Sequence, residues 1–327
     1  MRIVINGFGR IGRTVLRQVL TLQPEEAIEV VQINDIAPLE TCAYLFKYDS
    51  VFGPYPGTVE HTDDQLTVDG KEIRFSCEAD LSALDLSGVD VVLECTGKAD
   101  TKAVASRGLE VGARNVLISG PSAAADVTLV LGANEEELED RTIVSNGSCT
   151  TNALAPLLRG IDDALGIEAG HMTTIHCYTG SQPMVDAPRG PLERSRAGGV
   201  SMVPTTTSAT KLVGQVLPKL NGIVSGAAVR VPAISVSAVD VTLTLKNRPG
   251  EDINERLQKI FSDSAVIGFT KDRVVSTDMR ARPESLVVAL PETLSVGERQ
   301  VRIFGWYDNE WGFSARMIDM AKLMAAR

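Results

Sequence analysis

A short apolar strand that runs straight into three spaced glycines constrains this chain more than any other feature. Residues 2–6 (RIVIN) read as a buried strand. Gly7-x-Gly9-x-x-Gly12 follows at once, and residues 13–20 then carry Val15, Leu16, Val19 and Leu20 at helical spacing. Each glycine has a physical task in a strand–turn–helix unit. Gly7 permits the tight turn, Gly9 lets a pyrophosphate approach the backbone, and Gly12 lets helix and strand pack closely. The helix start then directs unpaired N–H groups at the phosphates. A second strand at 28–33 ends in Asn34-Asp35, and a carboxylate at that point accepts hydrogen bonds from adenosine ribose hydroxyls while repelling a 2′-phosphate. Asp35 therefore points to NAD rather than NADP. The structural alternative for Asp35 is a cap on the helix that follows.

The alternation continues. Strands are predicted at 89–93, 116–118, 126–132 and 142–144, with a helix over 101–111. This pattern predicts an α/β fold, with an N-terminal Rossmann-type parallel sheet as its first domain. The length of 327 residues asks for a second. Predicted strands at 173–178, 226–231, 239–245 and 301–307 make it an α+β domain with a mostly antiparallel sheet. The expected boundaries are 1–148 for the NAD-binding domain, completed by a C-terminal helix at 313–327, and 149–312 for the catalytic domain.

A net charge of -10 disfavours a general nucleic-acid role, which needs a basic surface. No apolar run approaches a bilayer span of about 20 residues, and the N-terminus lacks a signal peptide's apolar core, so a cytoplasmic location is expected. The five cysteines show no CxxC spacing, which argues against a disulfide framework or a metal site.

One cysteine stands apart. Cys149 lies in SNGSCTTNALAP, where small polar residues precede a helical run over 153–165. A thiol at a helix N-terminus is expected to have its pKa lowered, favouring the thiolate. Cys42, Cys95 and Cys177 read as packing residues. From local sequence alone, a nucleophile and a core thiol both remain open for Cys149. A reactive thiolate needs a base, and the chain has three histidines: His61, His171 and His176. His171 and His176 bracket a strand and fall on its opposite faces, so one of them at most can face the cysteine.

Five separated motifs resemble the phosphorylating glyceraldehyde-3-phosphate dehydrogenase family, in order and from end to end. They are INGFGRIGR at 5–13, SCTTN at 148–152, MTTIH at 172–176, NGIVSGAAVRVP at 221–232 and YDNEWG at 307–312. The resemblance implies Cys149 as nucleophile and His176 as base, with an aldehyde passing through a thiohemiacetal and a thioester to an acyl phosphate. It implies NAD held by Gly7, Phe8, Gly9, Arg10, Ile11, Gly12, Asp35, Thr96, Ser119 and Asn309, the last binding the nicotinamide carboxamide. It implies Arg230 and Thr179 on the substrate phosphate, Arg196 on the attacking phosphate, and Ser148, Thr150, Thr207 and Ser208 around these anions. The long loop at 178–200 is similar to a segment that packs at a subunit interface, which implies a homotetramer.

Several positions depart from the family pattern: Ser181, Pro183 and Ser208 near the anion sites, Glu78 where an arginine often contacts adenine, Ala153 for a second cysteine, and Phe313 for a tyrosine. They leave open a relative acting on erythrose 4-phosphate, with water or arsenate replacing phosphate. A non-catalytic nucleotide- or RNA-binding protein is the alternative from another class.

Overall fold

A computed structural model describes residues 1–21, 28–250 and 252–327. The chain forms two units. The first comprises Met1–Leu129, Glu136–Gly147 and Ser314–Arg327, and the second Val130–Glu135 and Ser148–Phe313. The short excursion Val130–Glu135 was not anticipated. Val130 and Ala133 belong to the apolar core of the second unit, which explains it.

The first unit holds β1 (Arg2–Asn6), β2 (Glu29–Asn34), β3 (Val59–His61), β4 (Gln65–Val68), β5 (Lys71–Ser76), β6 (Val91–Glu94), β7 (Asn115–Ile118), β8 (Val127–Thr128) and β9 (Ile143–Ser145). Their order in the sheet is β3-β4-β5-β2-β1-β6-β7-β9-β8. From β5 to β8 every pairing is parallel; the β3–β4–β5 edge is antiparallel. The central strands are apolar on both faces, as a sheet covered on both sides requires. The edge strands escaped the sequence reading because they are short, polar and partly exposed. The helix expected at 101–111 is two short helices, Lys102–Ala105 and Arg107–Glu110.

The second unit holds β10 (Ile167–Cys177), β11 (Val203–Thr205), β12 (Val224–Val231), β13 (Ser237–Leu245), β14 (Ile267–Thr270), β15 (Leu286–Ala289), β16 (Leu294–Val296) and β17 (Gln300–Tyr307). The path is β11-β12-β10-β13-β17-β15-β14, with β16 on β17. The pairings are mainly antiparallel, but β10–β12 and β14–β15 are parallel. Strict alternation drives the packing: Val239, Val241, Leu243 and Leu245 of β13 are buried, and their neighbours Asp240, Thr242 and Thr244 are not. The buried row meets Leu154, Leu157, Leu158 and Ile161 of the helix Cys149–Leu165. Each such side chain contributes roughly 1.5–3 kcal/mol by leaving water, so the helix that starts at Cys149 is fixed by its own core face. Among the described residues no helix is long and apolar enough to cross a membrane.

Candidate active site

The glycine turn in the first unit has the geometry its spacing predicts. Gly7 has φ +94, and a Cβ there would lie 2.7 Å from the Cys95 carbonyl carbon and the Thr96 nitrogen. A Cβ on Gly12 would collide with the Gly7 carbonyl, whereas one on Gly9 would meet nothing within 4 Å. Closure at two glycines and openness at the middle one leave a backbone that an anion can approach. The helix Arg10–Thr21 begins directly after it. The Arg10 guanidinium is committed elsewhere, to Asp49 at 2.5 Å and over the Phe52 ring. Arg10 and Ile11 can therefore serve a pyrophosphate only through their backbone N–H groups.

Asp35 does not cap the next helix, whose N-cap Pro38 has no side-chain bond. Its Oδ2 accepts from Phe8 N at 2.6 Å and its Oδ1 from Ala37 N at 2.8 Å. Each oxygen keeps a lone pair for a further donor. A cleft of about 500 Å³ opens here, lined by Gly7, Gly9, Asp35, Glu78, Thr96 and Arg107 among others. Beneath it runs a polar ladder. Asn6 Nδ2 donates to Glu94 at 2.5 Å, Asn34 Nδ2 to Asn6 at 2.8 Å, and Thr96 to Glu94 through both its N–H and its hydroxyl. Ser119 follows β7, and its N–H donates to the Glu94 carbonyl. The fit to a dinucleotide is good, and Asp35 makes a testable case. Asp35→Ala is expected to raise kcat/KM with NADP relative to NAD by about tenfold, as repulsion of the 2′-phosphate is relieved. Equal use of both cofactors by the unaltered enzyme would remove this role from Asp35.

The second unit assembles the thiol site. Ser148 is the N-cap of the helix Cys149–Leu165, its Oγ accepting from Thr151 N at 3.0 Å. Because the cap serves Thr151, the N–H groups of Cys149 and Thr150 are left to the sulfur. Cys149 Sγ lies 3.5 Å from His176 Nε2. His176 is buried on β10, while His171 is exposed and bonded to Ser225. Strand alternation thus brings one histidine to the cysteine.

Arg230 stands beside His176 in the β10–β12 register. Its Nη1 is 2.6 Å from His176 Nδ1 and 2.9 Å from the Cys177 carbonyl. A guanidinium only donates, so in this arrangement Nδ1 accepts and the ring proton sits on Nε2, facing the sulfur. Burial, and then the Arg230 charge, depress His176 to about 4. Burial likewise raises the Cys149 thiol, against the Arg230 charge and the backbone N–H groups of Thr150 and Cys149. The expectation of a thiol lowered by its helix is corrected here: the helix and Arg230 do act in that direction, but desolvation is larger.

Two further expectations change. Thr150 is not an available hydroxyl donor. Its Oγ1 is 2.8 Å from the Tyr307 hydroxyl, which is 2.8 Å from Thr174 Oγ1, and Thr174 donates to the Ala238 carbonyl. Thr174 has spent its proton, so Tyr307 donates to Thr174 and Thr150 donates to Tyr307. Arg196 is also committed to another partner: its Nε pairs with Asp186 at 2.8 Å, and both side chains are largely exposed. Arg194 takes the inner position instead, its Nε donating to Thr205 Oγ1 at 2.6 Å and its Nη2 to the Thr206 carbonyl at 3.2 Å. Thr205 ends β11, whose Val203 pairs with Arg230. Nearby, Thr207 Oγ1 accepts from Ala209 N at the start of the next helix, and Ser208 is exposed with φ -82, a backbone that needs no glycine. Thr179 Oγ1 pairs with Ser181 Oγ at 2.9 Å. Asn309 lies with Cys177 and Ser237, two residues the sequence reading assigned no part in the chemistry.

A glycine-turn parallel-sheet domain, joined in one chain to a unit that pairs a helix-capped thiol with a buried histidine, defines a dinucleotide-binding protein equipped for thiol chemistry. Residues 1–102 match the family model described as glyceraldehyde 3-phosphate dehydrogenase, NAD binding domain, and residues 148–309 match that for the C-terminal domain. The chain is similar to glyceraldehyde-3-phosphate dehydrogenase of Xanthobacter flavus, 44% identical over 331 residues, covering 99% of this chain and 98% of the relative. It is also similar to that of Cereibacter sphaeroides, 44% identical with 99% and 98% covered. To glyceraldehyde-3-phosphate dehydrogenase 2 of Bacillus subtilis it is 40% identical, with 100% and 97% covered. The chain belongs to the glyceraldehyde-3-phosphate dehydrogenase family, and its cofactor is NAD.

Proposed function

We propose that the chain oxidises D-glyceraldehyde 3-phosphate with NAD and inorganic phosphate, giving 1,3-bisphosphoglycerate through a thioester on Cys149. The observation that carries this reading is the convergence of Cys149 Sγ, His176 Nε2 and Arg230 at hydrogen-bond range, with the thiol at a helix start. The names of the relatives support the substrate.

Arg230 is the anchor for the phosphate of the substrate. When that anion draws the guanidinium away, the His176 ring proton passes through solvent from Nε2 to Nδ1, which then donates to the Cys177 carbonyl, 2.7 Å away, and Nε2 is left as a bare base. His176 then takes the thiol proton, and the thiolate adds to the aldehyde carbon. The N–H groups of the helix start and the imidazolium stabilise the developing oxyanion, and the imidazolium returns its proton to that oxygen, giving the thiohemiacetal hydroxyl and a neutral His176. NAD, when bound, supplies the hydride acceptor. His176 takes the hydroxyl proton as the thiohemiacetal becomes a thioester. Inorganic phosphate attacks the thioester carbon and Cys149 leaves as thiolate. For the attacking phosphate we assign Arg194, in place of Arg196, with Ser148, Thr207 and the exposed Ser208. Asn309 binds the nicotinamide carboxamide.

A homotetramer fits the surface. Within the loop expected at an interface, Met184, Val185, Leu192 and Val200 are 74% to 93% exposed, a density of apolar side chains that a monomer rarely shows to water.

The test is NADH formation from a panel of aldehydes with phosphate, with arsenate and with neither. Turnover of glyceraldehyde 3-phosphate that requires phosphate or arsenate supports the reading. Preference for erythrose 4-phosphate, or phosphate-independent turnover, overturns its substrate or its acceptor. Arg230→Ala removes a charge-assisted contact of about 1.5–3 kcal/mol. It should cut kcat/KM for the phosphorylated aldehyde by roughly 10–100-fold and leave unphosphorylated glyceraldehyde within a few-fold.

A further inference from the structure

The side chain of Asn309 has little freedom left to it. Its backbone lies in a turn pinned by the neighbouring Asp308 carboxylate, which accepts from Glu310 N at 2.9 Å, Trp311 N at 2.8 Å and Ala281 N at 2.8 Å. With the turn fixed, the remaining question is which end of the amide points inward. An amide oxygen and nitrogen have nearly the same shape, so the hydrogen-bond partners decide.

Two partners meet this amide from the inner side. Ser237 Oγ accepts from Cys177 N at 3.2 Å, which directs its own proton to Asn309 Oδ1 at 3.3 Å. Cys177 Sγ lies 3.1 Å from the same oxygen. The other acceptor near the thiol, His176 Nδ1, is more distant at 3.8 Å and is already served by Arg230. All three residues are buried, at 1%, 1% and 8% exposure for Cys177, Ser237 and Asn309. A buried hydroxyl and a buried thiol, each with a proton to place, converge on one oxygen with two lone pairs. Turning the amide over would set its N–H donors against both. Burial also pushes the Cys177 thiol up to about 12, so it remains a donor across the working pH range.

We infer that Cys177 and Ser237 are positioning residues that hold the Asn309 amide with its oxygen inward and its NH2 outward, so that the enzyme recognises the carbonyl oxygen of the nicotinamide carboxamide. This deepens, and rests on, the reading of Asn309 as the nicotinamide partner. The consequence is a selectivity for the ring substituent: an outward NH2 needs a carbonyl on the ring and is indifferent to the amide nitrogen beside it.

The probe is the 3-acetylpyridine analogue of NAD, which keeps the carbonyl and lacks the amide nitrogen. The holoenzyme is assayed with NAD and with the analogue, and the ratio of the two kcat/KM values is compared across variants. Cys177→Ser, which keeps a donor, should hold the wild-type ratio. Cys177→Ala/Ser237→Ala lets Asn309 turn its oxygen outward. NAD can answer by rotating its carboxamide to present NH2, and the analogue cannot. The double variant should therefore lose the analogue selectively, by roughly 10–100-fold relative to NAD. Should the double variant fail to fold, Cys177→Ala alone removes the shorter contact and must move the ratio in the same direction by severalfold. An unchanged ratio in a folded variant overturns the positioning role. Asn309→Ala separates the two levels of the argument. If it leaves kcat/KM with NAD intact, the nicotinamide assignment itself fails; if it impairs NAD while the ratio stays constant in the other variants, only the present inference fails.

Discussion

Cys149→Ser is expected to lower dehydrogenase turnover by roughly four orders of magnitude or more, while the affinity for NAD changes little. The substitution is nearly isosteric at a helix start whose cap, Ser148, and core face are untouched, so the fold is kept. What is lost is chemical. A thiol can give up its proton to His176, 3.5 Å away, and attack as thiolate. A serine hydroxyl in the same place is far less acidic, and its ester does not hold the activated acyl group that phosphate must receive. The NAD cleft is built from Gly7, Gly9 and Asp35 in the other unit and contains none of these groups. Steady-state NADH formation and NAD titration by protein fluorescence measure the two quantities separately. Retention of more than a few per cent of activity would remove Cys149 from the chemistry.

His176→Asn should slow acylation in a single turnover by roughly 10²–10⁴-fold. Asparagine can still donate a hydrogen bond to an oxyanion but cannot accept a proton, so the loss measures base catalysis. The pH profile adds a second reading. With its folded pKa depressed to about 4 by burial and by Arg230, His176 stays neutral, and competent as a base, down to that pH. The acid limb of kcat/KM, which reports the free enzyme, should therefore lie near pH 4 rather than near the ordinary histidine value, and it should vanish in His176→Asn. The raised thiol of Cys149 should carry the rise on the alkaline side. An acid limb that persists unchanged in the variant belongs to another group and contradicts the assignment.

The parts of this molecule that were legible in the sequence are those whose physics is local. The glycine turn is dictated by backbone sterics over six residues, and Gly7, Gly9 and Gly12 differ from one another in the way their spacing predicts. Strand period separates His171 from His176, and β13 displays its alternation openly. What escaped depends on contacts between residues far apart in the chain or on segments with no period. Thr150 looks like a free donor until Tyr307, 157 residues away, is seen to take its proton. Arg194 and Arg196 sit two apart in an irregular loop, and only Asp186 and Thr205 reveal which one turns outward. Cys177 reads as packing because its partner Asn309 lies 132 residues on. Desolvation of Cys149 belongs to the same class, since the helix effect is written in SCTTN and the burial that outweighs it is not.

The central claim is a covalent acyl group on one sulfur. Enzyme mixed with NAD and glyceraldehyde 3-phosphate in the absence of inorganic phosphate, quenched in acid and digested, should yield by mass spectrometry a phosphoglyceryl adduct on the peptide containing Cys149. Addition of phosphate before the quench should remove it. An adduct on Cys177 or Cys95 instead, or NADH formed in a first turnover with no adduct on any cysteine, would contradict the account.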